Sequence, residues 1–337
     1  MVKIADVARE ANVSVATVSR VLNKKGSVRP ETCERVYKAI EKLSFEPNMS
    51  ARNLRRNETR VILIVAPNIT NPYYAHILAG VGDEARKSGY SALIYNTGGD
   101  EEREKNGMDM LKKRRADGAI LLASNLDSMW LSEYADKYPI VHCSEYVKGL
   151  DIPRVSIDNY KATLEVMEYI ISLGHKKIAT ISSSNSYIST LLRLKGYKDT
   201  LERHGIKVRK DYIALADAEY SFKSGKAAAF KLLQQKDRPT AIFCISDTIA
   251  LGAITAAKEM GLRVPEDLTV TGFDDVDYTT MFHPYITTVA QPCYDLGRKS
   301  FKILHACMNK TNDIEKKVVL PHKFIIRESS APISICD

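Results

Sequence analysis

Between Ser14 and Asn23 the chain reads SVATVSRVLN. The stretch holds three hydroxyls (Ser14, Thr17, Ser19), one arginine (Arg20) and small apolar side chains at Val15 and Ala16. Its β-branched residues favour a strand. Val18, Val21 and Leu22, however, stand at i, i+3 and i+4, one stripe of a helix. On a helix, the face away from that stripe carries Val15, Ala16, Ser19 and Arg20. Small side chains let a backbone approach a DNA groove, and hydroxyls with helix-start amides suit phosphates. Arg20 is the one residue in the stretch able to make a bidentate contact with guanine. Ser14, Val15, Ala16, Thr17, Ser19, Arg20 and Asn23 are therefore the expected DNA-facing set.

A second group of chemistry-bearing residues falls just beyond apolar runs. Tyr73 and Tyr74 follow Val61–Ala66, Ser124 follows Ala119–Ala123, and Ser144 and Glu145 follow Ile140–Cys143. Asp158 ends Val155–Ile157, Arg193 is expected to open a helix, Asp247 follows Ala241–Ile245, and Asp274 follows Leu268–Gly272. Polar groups delivered by the carboxyl ends of strands are those that line a cleft. Nothing in the set suggests catalysis. The sequence has no P-loop, no G-x-G-x-x-G after the first strand of the body, no HExxH and no G-x-S-x-G. Asp274 and Asp275 are adjacent and diverge at a strand end, a poor acid/base pair. The seven histidines show no metal-ligand spacing, so neither metal nor cofactor is expected.

The elements that position these groups divide in two. Ile4, Val7, Ala8 and Ala11 predict a first helix ending at Asn12, a residue tolerant of the left-handed turn conformation. Ser14 is placed to N-cap a second helix. A third begins near Pro30 and turns Cys33, Val36, Ile40 and Leu43 inward. Helix, short turn, helix is the helix-turn-helix arrangement, whose second helix lies in the major groove. Residues 1–60 hold 13 Lys/Arg against 7 Asp/Glu, whereas the remaining 277 hold 36 against 34. The excess positive charge of this +8 chain is thus concentrated where a nucleic-acid module is expected. Pro47–Arg60 is polar, basic and nearly free of core residues, as in a linker. Beyond it, apolar runs of strand length alternate with amphipathic stretches, the pattern of parallel sheets covered on both faces. Gly89, Gly118, Gly174, Gly205 and Gly261 recur where a helix must stop before the next strand. The number of strand–helix units suggests two α/β lobes, with a crossing near Ser144–Asp158. Six scattered cysteines (Cys33, Cys143, Cys244, Cys293, Cys307, Cys336) point to reduced thiols and a cytoplasmic setting. Charges at Lys3, Asp6, Arg9 and Glu10 interrupt any secretory leader, and no apolar run approaches a membrane span.

These features agree with a resemblance. VKIADVAREANVSVATVSRVLN, followed by VRPETCERVYKAIEKLSFEPNMSARNLR, strongly resembles the N-terminus of the lactose/galactose repressor family of bacterial transcription regulators. PNITNPYY (67–74), RLKGY (193–197), RPTAIFCISDTIALGAI (238–254), GLRVPEDLTVTGFDD (261–275) and ITTVAQP (286–292) follow in the family's order. The likeness covers nearly the whole chain and is closest to the purine-repressor and catabolite-control-protein branch. It implies an all-α helix-turn-helix headpiece (1–46), a hinge helix or linker (47–60) and a two-lobed α/β body shaped like periplasmic sugar-binding proteins (61–337). It further implies that Leu54, in the turn Ala51-Arg52-Asn53-Leu54, wedges between base pairs in the minor groove. Arg55 beside it is expected to meet phosphate. Positions matching Tyr73, Arg193, Asp274 and an aromatic near Tyr220 are implied to bind the effector, with Gln291 on the strand connecting the lobes. Asp274 rather than Asp275 is the expected ligand. Ser144-Glu145 and Ser246 depart from the family's pattern.

The expected molecule is a cytoplasmic homodimeric repressor of a pseudo-palindromic double-stranded operator. A small effector, a sugar or sugar derivative, controls its affinity, and no membrane is involved. The alternative is a solute-binding receptor for sugar uptake, which the basic headpiece disfavours.

Overall fold

The structure, a computed structural model, describes residues 2–23, 27–45 and 58–333. Leu54 and Arg55 lie outside the described residues, as does Cys336. The chain divides into two compact units, Met1–Thr59 and Arg60–Asp337.

In the first unit three helices, α1 (Ile4–Glu10), α2 (Val15–Leu22) and α3 (Pro30–Lys42), share one small core. Val7, Ala8, Ala11, Val18, Val21, Val36, Ala39 and Phe45 are buried there, with Ile4, Leu22, Cys33, Ile40 and Leu43 packed partly against them. Burial of Val18 and Val21 outweighs the weak helix propensity of β-branched residues, since packing contributes more than propensity. Asn12 takes φ 51° and reverses the chain after α1. The Ser14 side chain accepts from the Thr17 amide at 3.1 Å and starts α2. Lys42 reaches Glu10 at 2.7 Å, linking α3 to α1.

The second unit is a two-lobed α/β body. The first lobe runs β1 (Val61–Ala66), α4 (Pro72–Lys87), β2 (Ser91–Asn96), α5 (Glu101–Lys112), β3 (Gly118–Leu121), α6 (Ser128–Ala135), β4 (Ile140–Cys143) and β5 (Arg154–Ile157). The second runs α7 (Asn159–Ser172), β6 (Ile178–Ser183), α8 (Ile188–Arg203), β7 (Ile213–Ala216), α9 (Phe222–Leu233), β8 (Ala241–Cys244), α10 (Asp247–Glu259), β9 (Thr269–Thr271) and β10 (Thr288–Ala290). The chain then returns to the first lobe with α11 (Cys293–Met308) and β11 (Lys317–Leu320), and ends in the second with β12 (Lys323–Ile325). A parallel sheet ordered β11-β5-β4-β3-β1-β2 forms one lobe, and another ordered β7-β6-β8-β9 forms the other. β10 and β12 pair antiparallel beside it. The first crossing falls at Asp158, at the end of the expected window. Two more occur at Gln291 and between Leu320 and Lys323, which sequence periodicity does not reveal.

Three expectations need correction. Gly118 does not stop a helix: it opens β3, and Arg114, at φ 51°, makes the turn after α5. Arg193 lies in the second turn of α8, because that helix already begins at Ile188. The apolar run Tyr90–Tyr95 is not a covered strand: it becomes edge strand β2, with Leu93 and Ile94 left 38% and 46% exposed.

Each lobe contains one close helix crossing made by paired glycines. A Cβ on Gly80 of α4 would stand 2.0 Å from the Tyr294 carbonyl oxygen, and one on Gly297 of α11 would stand 2.1 Å from that of Ile77. Gly225 and Gly252 serve α9 and α10 in the same way. No described helix is long and apolar enough to cross a membrane.

Candidate functional site

In the first unit, α2 presents the expected face. Ser14, Val15, Ala16 and Arg20 are exposed, and Thr17 and Ser19 are half-buried. Val15 is 43% exposed, an apolar residue on the outer side of a basic module. Among the described residues none pairs with Arg20. Two polar groups are partly engaged within the helix. The Ser14 and Thr17 hydroxyls bond each other at 2.9 Å, and Asn23 donates to the Ser19 carbonyl at 2.7 Å. Asn23 therefore closes the C-terminus of α2, which limits its part in reading bases.

In the second unit, the ends of both sheets deliver side chains to a cleft between the lobes. An inner cavity of about 20 Å³ is lined by Asn71, Tyr73, Tyr74, Glu145, Ser189, Arg193, Tyr220, Ser246 and Asp274. An outer one of about 290 Å³ shares Tyr74 and Tyr220 with it and adds Asn68, Asn125, Asn185, Tyr187 and Glu219 among others. The inner space admits about one water molecule, and the outer approaches the size of a small-ligand site.

The inner groups satisfy one another. Tyr73 Oη lies 2.5 Å from Ser144 Oγ and donates to Gln291 Oε1 at 3.3 Å. Gln291 in turn donates to Asp274 Oδ1 at 2.8 Å. Arg193 donates to Asn159 Oδ1 at 2.9 Å and to the Ile245 carbonyl at 2.5 Å, stands 3.7 Å from Asp274 and covers the Phe273 ring at 3.6 Å. Burial pushes the Asp274 carboxyl up to about 8, against the opposing pull of Arg193, and the nearby Asp247 carboxyl adds to the rise. Glu145 is raised by burial too, although its bonds to Ser189 and the charge of Arg193 counter it.

Glu145 occupies an unusual position. Helix α8 has no cap of its own, because its N-cap residue is Tyr187 and makes no side-chain cap bond. Glu145, from the loop after β4 in the other lobe, accepts the Ser189 amide at 3.0 Å in that place. One lobe therefore caps a helix of the other. Backbone strain gathers around the same cleft: Ser144, Tyr220, Asp274 and Asp275 have φ of 75°, 59°, 120° and 57°. Such conformations cost about 1–3 kcal/mol each and cluster where geometry serves function.

Several expected cleft residues are engaged elsewhere. Asp247 is fully buried as the first residue of α10. It accepts from Thr288 Oγ1 at 2.6 Å and from the Val276 amide at 3.0 Å, and burial raises it to about 6. Asp158 is exposed and caps α7 through the Lys161 amide at 2.9 Å. Ser124 accepts the Leu126 amide at 3.2 Å, fixing a turn rather than lining either cavity. Asp275 pairs with Arg327 at 2.7 Å and leaves Asp274 to face the cleft. Asn68, Asn125, Asn185, Tyr187, Glu219 and Ser246 line the cavities without having been anticipated as site residues. The strand-end rule finds Asn185 and Tyr187 once it is applied beyond β6. Glu219 follows β7, whose short, half-exposed sequence conceals it.

Comparison with known proteins agrees with both halves of this description. Residues 3–48 match the family described as bacterial regulatory proteins, lacI family, and residues 59–328 match periplasmic binding proteins and the sugar-binding domain of the LacI family. The chain belongs to the LacI family. It is a DNA-binding transcriptional regulator that answers to a small ligand. Catabolite control protein A of Priestia megaterium is 36% identical over 331 residues, covering 98% of this chain and 99% of the relative. The lac repressor dimer bound to operator and the anti-inducer ONPF superposes with a TM-score of 0.88 at 27% identity, covering 98% of this chain and 99% of that one. The transcriptional regulator CelR in complex with cellobiose gives 0.73, also at 27% identity, over 98% and 100%. Relatives in this LacI family are regulators rather than enzymes.

Proposed function

We propose that this LacI-family chain is a cytoplasmic homodimeric repressor that holds its effector, a carbohydrate, in the cleft of the body. Its α2 face reads a pseudo-palindromic operator through Arg20, with Ser14, Val15, Ala16, Thr17 and Ser19 in close approach. The observation that carries the effector reading is the bond from the Ser189 amide to Glu145, which ties closure of the cleft to the order of a helix. A ligand that favours the closed cleft changes how the two lobes sit, and so changes DNA affinity. Couplings of this kind amount to about 1–3 kcal/mol, or about 5–150-fold. The cellobiose bound by CelR supports a carbohydrate. Exposed Leu93 and Ile94 on the edge strand β2 support a second copy, since an open apolar edge invites pairing. Pairing also fits two half-sites related by a two-fold axis.

An operator gel shift, repeated over a panel of sugars, tests this reading. Affinity is expected to change about 5–150-fold with the effector. The same panel should raise the thermal midpoint. Operator affinity indifferent to every ligand that raises the midpoint would refute the coupling.

A further inference from the structure

The cleft also indicates which charge its ligand carries. Helix N-termini are ready-made anion sites, because unpaired amides and the helix dipole point at the ligand. Five helices start at residues that line or adjoin the two cavities, and each of the five is already capped by the chain itself. Asn71 accepts the Tyr73 amide at the start of α4 (3.0 Å), and Asp100 accepts the Arg103 amide at α5 (2.7 Å). Glu145 accepts the Ser189 amide at α8 (3.0 Å), Ser221 the Ser224 amide at α9 (3.2 Å), and Ser246 the Ile249 amide at α10 (3.3 Å). Two of the five caps are carboxylates, and the first turn of α5 adds Glu101, Glu102 and Glu104.

Side chains give the same answer. The described residues lining the cavities include no lysine or histidine and only one arginine. That arginine, Arg193, is 5% exposed and committed to Asn159, Ile245, Asp274 and Phe273. Glu145, Glu219 and Asp274 are the remaining ionisable groups apart from tyrosines. What the outer cavity does offer is neutral. Asn68, Asn125 and Asn185 each bring a donor and an acceptor, and Tyr74, Tyr187 and Tyr220 bring ring faces. Glu104 supports this arrangement from below: its Oε2 accepts the Asn125 amide at 3.0 Å, while Asn125 Nδ2 donates to the Gly99 carbonyl at 2.9 Å.

From this arrangement we infer that the cleft takes an uncharged polyhydroxylated ring, a free sugar or a nucleoside, and rejects the phosphate ester of the same compound. Amides and the Glu219 carboxylate bond its hydroxyls, and the tyrosines cover its C–H face. An ester would bring a dianion to a site with no free cation and no open helix terminus. Asn68, Asn125, Asn185 and Glu219 are then the residues that set specificity. The inference rests on reading the cleft as the effector site.

Isothermal calorimetry on the full-length protein tests it. The titrants are pentoses, hexoses, disaccharides and nucleosides, each beside its own phosphate ester. Any neutral compound that binds is expected to do so at least about tenfold more tightly than its ester. The sugar and nucleoside arms then show which source supplies the ring. In Glu219→Lys, a change at an exposed position, the same ester should recover to within about threefold of the neutral compound. An ester that binds the wild-type protein as tightly as its parent, or more tightly, overturns the inference and leaves the effector reading standing. Heat from no titrant, with operator binding intact, overturns the effector reading and the inference with it.

Discussion

Arg20 is the longest donor on the exposed face of α2, and its neighbours Val15 and Ala16 offer apolar contact alone. Hydrogen-bonded discrimination from this helix therefore rests on one guanidinium. Arg20→Ala is expected to cost about 1–3 kcal/mol on the cognate operator and much less on random DNA, as read by fluorescence anisotropy on both. Equal losses on the two would reduce Arg20 to a phosphate contact. That face was legible in the sequence because its residue types are chemically one-sided, and burial of Val18 and Val21 fixes which way it points. The cleft was less legible. Tyr73, Arg193 and Asp274 follow from strand ends and family motifs. Asp247 shares that signature, yet its carboxylate is taken up by Thr288 and the Val276 amide. A residue type at a strand end states what is available there; only the packed structure states what it is already bonded to.

At the scale of elements, the close crossings of α4 with α11 and of α9 with α10 hold the lobes to their helices. Adding one methyl at Gly80 or Gly297 drives it into backbone, which no rotamer change relieves. Gly80→Ala and Gly297→Ala are each expected to lower stability by about 1–3 kcal/mol in urea unfolding, while Gly82→Ala, where a Cβ meets nothing within 4 Å, should cost far less. The long buried strands β1, β4, β6 and β8 were readable as apolar runs because both their faces are covered. β7, β10, β11 and β12 were not, because three or four residues at an edge or a crossing carry too little periodicity. Their consequence is large: β10 and the segment after it put Gln291 at the second crossing, within reach of Tyr73 and Asp274.

For the whole molecule, two carboxyls tie stability to pH. Burial raises Asp247 to about 6 and Asp274 to about 8, from an unfolded value of 3.8. Both hold a proton more firmly folded than unfolded. Their stabilisation is therefore complete below about pH 4 and is lost as pH rises through about 6 and then about 8. Thermal midpoints should fall between about pH 5.5 and about pH 8.5, and Asp274→Asn should flatten the upper half of that fall. A wild-type profile flat across the range would refute the assignment. The charge distribution predicts a further division. A chain lacking the first 60 residues should lose DNA binding and keep effector binding, since the basic excess lies in the part removed. Finally, the trans-lobe cap on α8 bears on time rather than on affinity alone. A ligand enclosed in the cleft leaves only when the lobes part, and parting strips the Ser189 amide of its acceptor while uncovering the Glu145 carboxylate. The dwell time of the effector, and with it the delay before the regulator answers a fall in supply, is thus set partly by a bond the effector never touches. Glu145→Ala should shorten that dwell by about tenfold in stopped-flow displacement, the kinetic counterpart of losing a cap worth about 0.5–2 kcal/mol, with little change in the association rate.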